Sequence, residues 1–149
     1  MKQKASRCSS PTPYPDPHRV VTGILELALN AVEHGNLNIG YTGKTRLLDQ
    51  DILEHEIAKR RADPLYASRV VTAHFARHSD RLALHIADQG NGFEWREYLD
   101  FDPERAYDTH GRGIPMANKL SFDLIESCGN GHRVLAVLNR TADIQMRAA

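Results

Sequence analysis

The chain has 149 residues, a length that suits one domain with a hydrophobic core and is short for two. Lysine plus arginine number 19, as do aspartate plus glutamate, so the bulk charge does not favour binding to nucleic acid or to an anionic membrane. The two cysteines have no CxxC spacing, the eight histidines are scattered, and no apolar run has the length of a secretory signal or a membrane span. We therefore expect a cytoplasmic protein with no nucleic-acid or membrane partner and no zinc site.

The amino-terminal part of the chain predicts a lead-in followed by a long helix. Residues 1–17 contain four prolines and few apolar side chains, which predicts an extended or disordered segment. Asp16 and Pro17 suit the cap and the first turn of a helix that runs to about His34 and stops at Gly35. Apolar residues fill most of this helix, and the one polar stripe consists of Thr22, Glu26, Asn30, Glu33 and His34. Taken alone, the stripe is most simply the solvent-facing side of a mostly buried helix.

A charged segment at about 40–69 separates this helix from the second half of the chain. The stretch from Asp49 to Arg61 predicts a helix that ends before Asp63, which precedes a proline, and its apolar content is thin. The segment is most simply a surface insertion or a lever on a neighbouring loop. Its charge and position also motivate the hypothesis of an arm that contacts a partner protein.

In the second half of the chain, apolar side chains recur at every second position. Residues 70–78 and 81–88 alternate apolar and polar side chains, which predicts an antiparallel hairpin. The elements expected after it are a turn at 89–92, a short helix near 94–99, a polar segment at 100–110, a helix at about 114–120, and a second hairpin turning at 128–131. Residues 18–149 then form one domain, an α+β two-layer sandwich with a mixed, mostly antiparallel sheet and helices on one face.

Glycines cluster at three places that follow strands or precede a helix. The clusters are Asp88, Gly90 and Gly92 after a strand, Gly111, Arg112 and Gly113 before a helix, and Gly129 with Gly131 in the second hairpin. The third cluster is most simply a turn, because glycine accepts positive φ. The second is more suggestive, since a helix N-terminus exposes free N–H groups and the positive end of a dipole, which together suit a phosphate.

In their order and context, three motifs resemble the N, G1 and G2 boxes of the GHKL ATPases. The motifs are E-x-x-x-N on a helix, D-x-G-x-G after a strand and G-R-G-I before a helix, and the resemblance covers Pro17 to Arg140. Within that superfamily, the run NAVEHGN and the small size look most like the bacterial anti-sigma-factor serine kinases. The resemblance implies a fold of the Bergerat type and binding of ATP with Mg²⁺.

The same resemblance implies roles for individual residues. Asn30 would coordinate Mg²⁺ through its amide oxygen, Glu26 would act as the general base, and Asp88 would accept a hydrogen bond from the adenine amino group. The remaining nucleotide contacts would come from Gly90, Gly92, Gly111, Arg112, Gly113, Ile114 and His132. His132 stands where the family pattern G-x-G-T places a threonine.

The implied reaction is transfer of the ATP γ-phosphate to a serine of a STAS-type anti-sigma-factor antagonist. The implied further partners are a sigma factor, a serine phosphatase or response regulator of the same pathway, and a second copy of the chain in a homodimer. Two alternatives remain open. One is a binding module that kept the fold with weak or absent catalysis, and the other is a detached histidine-kinase ATP-binding domain, which lacks support because no dimerisation hairpin with a phospho-accepting histidine is evident.

Overall fold

The computed structural model describes residues 16–92 and 120–140 of the chain. Its elements, in order, are α1 (Pro17–Asn30), a π-helical turn (Ala31–Asn36, the π-turn), α2 (Tyr41–Asp49), α3 (Leu53–Ala62), α4 (Pro64–Ala67), β1 (Thr72–Arg77), β2 (Arg81–Ala87), β3 (Leu124–Cys128) and β4 (Arg133–Asn139). The predicted helix at 94–99, the polar segment at 100–110 and nearly all of the predicted helix at 114–120 lie outside the described residues. So does the predicted lead-in, except for Asp16, which caps α1, and Pro17, which begins it.

Both predicted hairpins are present and form one four-stranded sheet with the strand order β1-β2-β4-β3. All three pairings are antiparallel. The α+β class and the mostly antiparallel pairing are therefore confirmed, and the described strands contain no parallel pair. Alternation places Leu84 opposite Ala136, and Ala136 opposite Ile125, which gives one face of the sheet a continuous apolar row.

Helix α1 packs on that apolar face. Leu27 and the first residue of the π-turn, Ala31, are buried in one cluster with strand residues including Leu84 and Ala136. The Asp16 carboxylate accepts a hydrogen bond from His18 N (3.0 Å), as the cap prediction requires.

Much less of α1 is buried than the sequence suggests. Only Gly23 and Leu27 of its residues are buried, while Val21, Leu25 and Leu29 are each about half exposed. The expectation of a mostly buried helix is therefore wrong for the described structure. Apolar side chains surround the helix, but the sheet covers only one side of it, so apolar content alone overstates its burial.

The 40–69 insertion forms three helices with a small core of their own. Leu37, Ile39 and Leu47 are buried together, and side chains of α3 and α4 pack against them. The prediction of one helix from Asp49 to Arg61 is wrong in its start, because α2 ends at Asp49 and α3 begins at Leu53. Its predicted end is confirmed at Ala62, followed by Asp63, whose carboxylate caps α4.

A Schellman motif causes the unexpected break between α2 and α3. Asp51 takes a left-handed backbone (φ 55°), Ile52 N donates to Leu47 O (2.9 Å), and Asp51 N donates to Leu48 O (2.9 Å). Glycine usually occupies this position, so a motif built on aspartate carries little signal in the sequence. No helix in the described part of the chain is long and apolar enough to cross a membrane.

Candidate functional site

The π-turn continues the polar stripe of α1 and ends beside the loop that follows β2. Glu26 and Asn30 lie one helical turn apart on α1, and both are partly buried. Directly after Asn30 the helix widens into the π-turn, a local irregularity that proteins often place at functional sites. Glu33 in this turn is buried, and its carboxylate forms an ion pair with Lys44 of α2 (2.5 Å).

Asp88 lies immediately after β2 and is 8% exposed. Gly90 N donates to its Oδ1 (2.8 Å), and its own N–H donates to the carbonyl oxygen of His132 (3.0 Å). Burial raises the pKa of the Asp88 carboxyl, while the Gly90 N–H and the charge of His132 act in the opposite direction with smaller effect. The carboxyl group is therefore held in a poorly solvated position with one oxygen fixed by the backbone.

Three chain segments meet around this carboxyl group, and glycines allow them to approach closely. A Cβ on Gly35 would overlap the Asp88 carboxyl group, and a Cβ on Gly90 would overlap the carbonyl oxygen of Gly35. A Cβ on Gly92, whose φ is 78°, would overlap the carbonyl oxygen of Asn130. The π-turn, the 88–92 loop and the second hairpin turn thus form one continuous site.

The second hairpin turn does more than reverse the chain. Gly129 and Gly131 have positive φ (69° and 88°), which confirms the turn prediction. Its backbone also supports the 88–92 loop, through the bond from Asp88 N to His132 O and through the contact between Gly92 and Asn130. The backbone of His132 therefore lies beside Asp88.

Asn36 and Gln89 form a bridge that the sequence did not predict. Asn36 Oδ1 accepts from Gln89 N (2.8 Å), and Gln89 Oε1 accepts from Val70 N (3.0 Å). Asn36 is buried, and this bond joins the end of the π-turn to the loop that follows β2. The only sequence signal for Asn36 was its place directly after Gly35 in the run NAVEHGN.

Two arginines of the insertion hold the same end of the π-turn. Arg60 Nη1 donates to Leu37 O (2.7 Å) and Asn38 O (2.9 Å), and Arg69 Nη1 donates to Asn36 O (2.7 Å). Glu56 accepts from Arg60 Nε (2.8 Å), a contact that lowers the pKa of Glu56. These charged donors satisfy carbonyl groups that a helix end leaves without partners.

The structure brings together Asp88, Gly90, Gly92 and His132, and it places Glu26 and Asn30 on the helix that leads to them. The predicted phosphate-binding residues Gly111, Arg112, Gly113 and Ile114 lie outside the described residues. Within 16–92 and 120–140, no group of three or more His, Cys, Asp or Glu side chains is arranged to hold a metal ion. A Mg²⁺ at Asn30 would therefore need phosphate and water oxygens as its other ligands, a set that this metal favours.

Comparison of the chain with protein-family models, with curated proteins and with solved structures gives no match.

Proposed function

We propose that this chain binds Mg-ATP on a fold of the GHKL ATPase type and acts as a serine kinase of the anti-sigma-factor type. The observation that carries the proposal is the position of Asp88. It is a buried carboxyl group at a strand end, where the π-turn, the 88–92 loop and the second hairpin turn meet. The helix that leads into this meeting point carries Glu26 and Asn30.

Asp88 suits recognition of an adenine amino group. An ionised carboxylate accepts a strong hydrogen bond, and poor solvation strengthens the bond because water competes less for the oxygens. Gly90 N–H fixes Oδ1, which leaves Oδ2 to accept from the base. Gly35 contributes no side chain beside the carboxyl group, so the π-turn adds little bulk there.

Glu26 and Asn30 suit the reacting end of the nucleotide. Glu26 would take the proton from the attacking serine hydroxyl, and the Asn30 amide oxygen would hold Mg²⁺, which neutralises phosphate charge when bound. Phosphoryl transfer depends mainly on positioning and charge neutralisation, so few protein groups are needed. In this proposal Gly111, Arg112, Gly113 and Ile114 contact the phosphates.

The proposed substrate is a serine of a STAS-type antagonist, and a phosphate there would weaken its binding to other proteins by adding charge. The proposed partners also include a sigma factor, a serine phosphatase or response regulator, and a second copy of this chain. This part of the proposal rests on the resemblance of the run NAVEHGN and of the three boxes.

His132 favours a second candidate, a partner-binding module without catalysis. Its charge acts on the Asp88 carboxyl, and its ring is larger than the threonine of the family pattern. A larger ring near Asp88 leaves less room there for an adenine base. In that case the chain would bind partner proteins through the same fold and would not transfer phosphate.

Thermal unfolding with and without Mg-ATP tests the nucleotide site. At one hundred times the dissociation constant, a ligand stabilises the folded state by about 2.7 kcal/mol. We expect this shift for the wild type and for Asp49→Asn, an equivalent change at an exposed position of α2. Asp88→Asn should lose the shift, because Gly90 N–H keeps the amide oxygen at Oδ1 and turns the NH₂ group towards the adenine donor. No shift in the wild type would refute nucleotide binding.

Phosphate transfer from radiolabelled ATP to a STAS-domain antagonist separates the two candidates. A kinase should label the antagonist, and Glu26→Gln should abolish labelling while keeping the thermal shift. A wild type that shows the thermal shift without labelling any antagonist serine would favour the binding module.

A further inference from the structure

A second cavity lies on the insertion side of the π-turn, and the proposed ATP site does not use it. It has a volume of about 510 Å³, within the range of small-molecule sites, and is partly open to solvent. Part of its wall is apolar and comes from Val32, Ile57 and Val71. We call this cavity the insertion cleft.

The polar part of the insertion cleft is positively charged. Arg61 and Arg69 both line it, and none of the described residues that line it is acidic. Arg69 is fixed, since its Nη1 donates to Asn36 O (2.7 Å) and its guanidinium lies 5.1 Å from the centre of the Tyr66 ring. Arg61 is exposed, and it makes no hydrogen bond or ion pair with any residue in 16–92 or 120–140.

This combination selects a particular kind of ligand. Two guanidinium groups without a lining carboxylate attract an anion, and Arg61 has its donors available for a two-point contact with a carboxylate. The apolar wall and the Tyr66 ring provide contact area for an apolar body, which a free inorganic anion lacks. The ligand that matches both halves is a small organic acid with an aromatic or aliphatic body.

We propose that the insertion cleft is a binding site for a small carboxylate with an apolar body. Val32, Ile57 and Val71 pack against the body, Tyr66 contacts it at the cleft wall, and Arg61 binds the carboxylate. The site belongs to the 40–69 insertion and the π-turn, and its occupation does not require nucleotide binding.

Two-dimensional NMR titration of the full chain tests the proposal with three probes, namely 2-naphthoate, indole-3-acetate and decanoate. We expect at least one probe to give saturable shifts in amides that line the cleft. We expect its neutral amide to bind about tenfold more weakly or worse, because the charged contact is lost.

Three variants locate the binding. Arg61→Gln should weaken the carboxylate by about tenfold or more. Lys59→Gln makes the same charge change two residues earlier on α3, outside the cleft lining, and should leave affinity unchanged. Ala67→Trp places a large side chain at an exposed lining position and should block binding. Unchanged dispersion of the remaining amide signals shows that each variant is folded.

Either of two results would overturn the proposal. One is the absence of saturable shifts at the cleft with all three probes at millimolar concentration. The other is an equal affinity of wild type, Arg61→Gln and Ala67→Trp for the same carboxylate, because the anion would then bind elsewhere.

Discussion

At Gly35 the backbone of the π-turn touches a titratable group. The Asp88 carboxyl group lies where a Cβ of residue 35 would project, and the carbonyl oxygen of Gly35 is in turn close to Gly90. Each of these positions excludes a side chain because the neighbouring segment is already there. The glycines therefore set the distance between two segments that are far apart in the sequence.

We expect Gly35→Ala to destabilise the protein by about 1–3 kcal/mol, the usual cost of forcing extra volume into a packed site. Gly43→Ala is the matched control, since residue 43 lies in α2 and its Cβ would be 3.7 Å from Ile39 Cγ2, an ordinary van der Waals contact. That change should stabilise the protein by up to about 1 kcal/mol, because alanine favours a helix over glycine. Urea unfolding measures both values, and a neutral Gly35→Ala would contradict the close approach.

The buried Asp88 carboxyl predicts a pH-dependent loss of stability. Because burial raises its pKa, the folded state holds this proton more tightly than the unfolded state does, and stability falls as the pH rises through the raised pKa. The Asp88→Asn variant has a side chain that does not ionise, and its amide oxygen can still accept from Gly90 N–H. We expect the variant to be more stable than the wild type at pH 7, and the difference to shrink as the pH falls and to vanish near about pH 3, where most of the aspartate is protonated in both states. Urea unfolding between pH 3 and 8 measures the difference in unfolding free energy between the two proteins. An Asp88→Asn variant less stable than the wild type at pH 7 would contradict this prediction.

At the scale of elements, the insertion helices support the end of α1 and its π-turn. Arg60 and Arg69 reach back to three successive carbonyl groups, at Asn36, Leu37 and Asn38. Part of the charge in the 40–69 insertion therefore makes hydrogen bonds within the molecule. The lever on a neighbouring loop and the partner-contacting arm both stay predictions.

Arg60→Gln should cost about 2 kcal/mol of unfolding free energy, since hydrogen bonds from a charged donor contribute about 1.5–3 kcal/mol each and glutamine replaces them incompletely. Arg61, the next residue along, makes no hydrogen bond or ion pair with a described residue, so Arg61→Gln should change stability by less than about 0.5 kcal/mol. Chemical unfolding of the two variants side by side gives the comparison. Equal effects of the two changes would mean that the carbonyl contacts of Arg60 do not stabilise the fold.

The sequence predicted the elements that local rules determine. Period-two alternation predicted the first hairpin, the Asn-Gly turn signal predicted the second, and the Asp16-Pro17 pair predicted the start of α1. Each of these signals depends on residues close together in the chain. The break between α2 and α3 escaped prediction because its left-handed residue is Asp51 and not glycine. The bridge from Asn36 to Gln89 escaped it because the bond joins residues 53 positions apart.

At the scale of the whole molecule, two separate cores lie on either side of the π-turn. The larger contains α1 and the sheet, and the smaller contains Leu37, Ile39 and Leu47 with the insertion helices. Helix α3 has no buried residue, whereas β4 has three in succession and is paired on both sides. The two parts therefore differ in the amount of apolar surface that protects their backbone.

Amide hydrogen exchange should separate these two parts. We expect the amides of α3 to exchange faster than those of β2 and β4, because local opening costs less free energy where fewer apolar side chains are buried. Mass spectrometry of exchanged peptides measures the difference under native conditions. Equal protection of α3 and β4 would show that the insertion opens only together with the sheet.

The contact between the 88–92 loop and the second hairpin turn also determines when the surroundings of Asp88 can form during synthesis of the chain. Asp88 is synthesised well before His132, yet the Asp88 N–H is bound only once the His132 carbonyl has arrived. Contacts between distant residues form late, because the intervening chain must first be ordered. A nascent chain that has emerged only as far as β2 therefore has the carboxyl group without its surroundings, so ligand binding at Asp88 would report completed folding and would not assist the earlier steps.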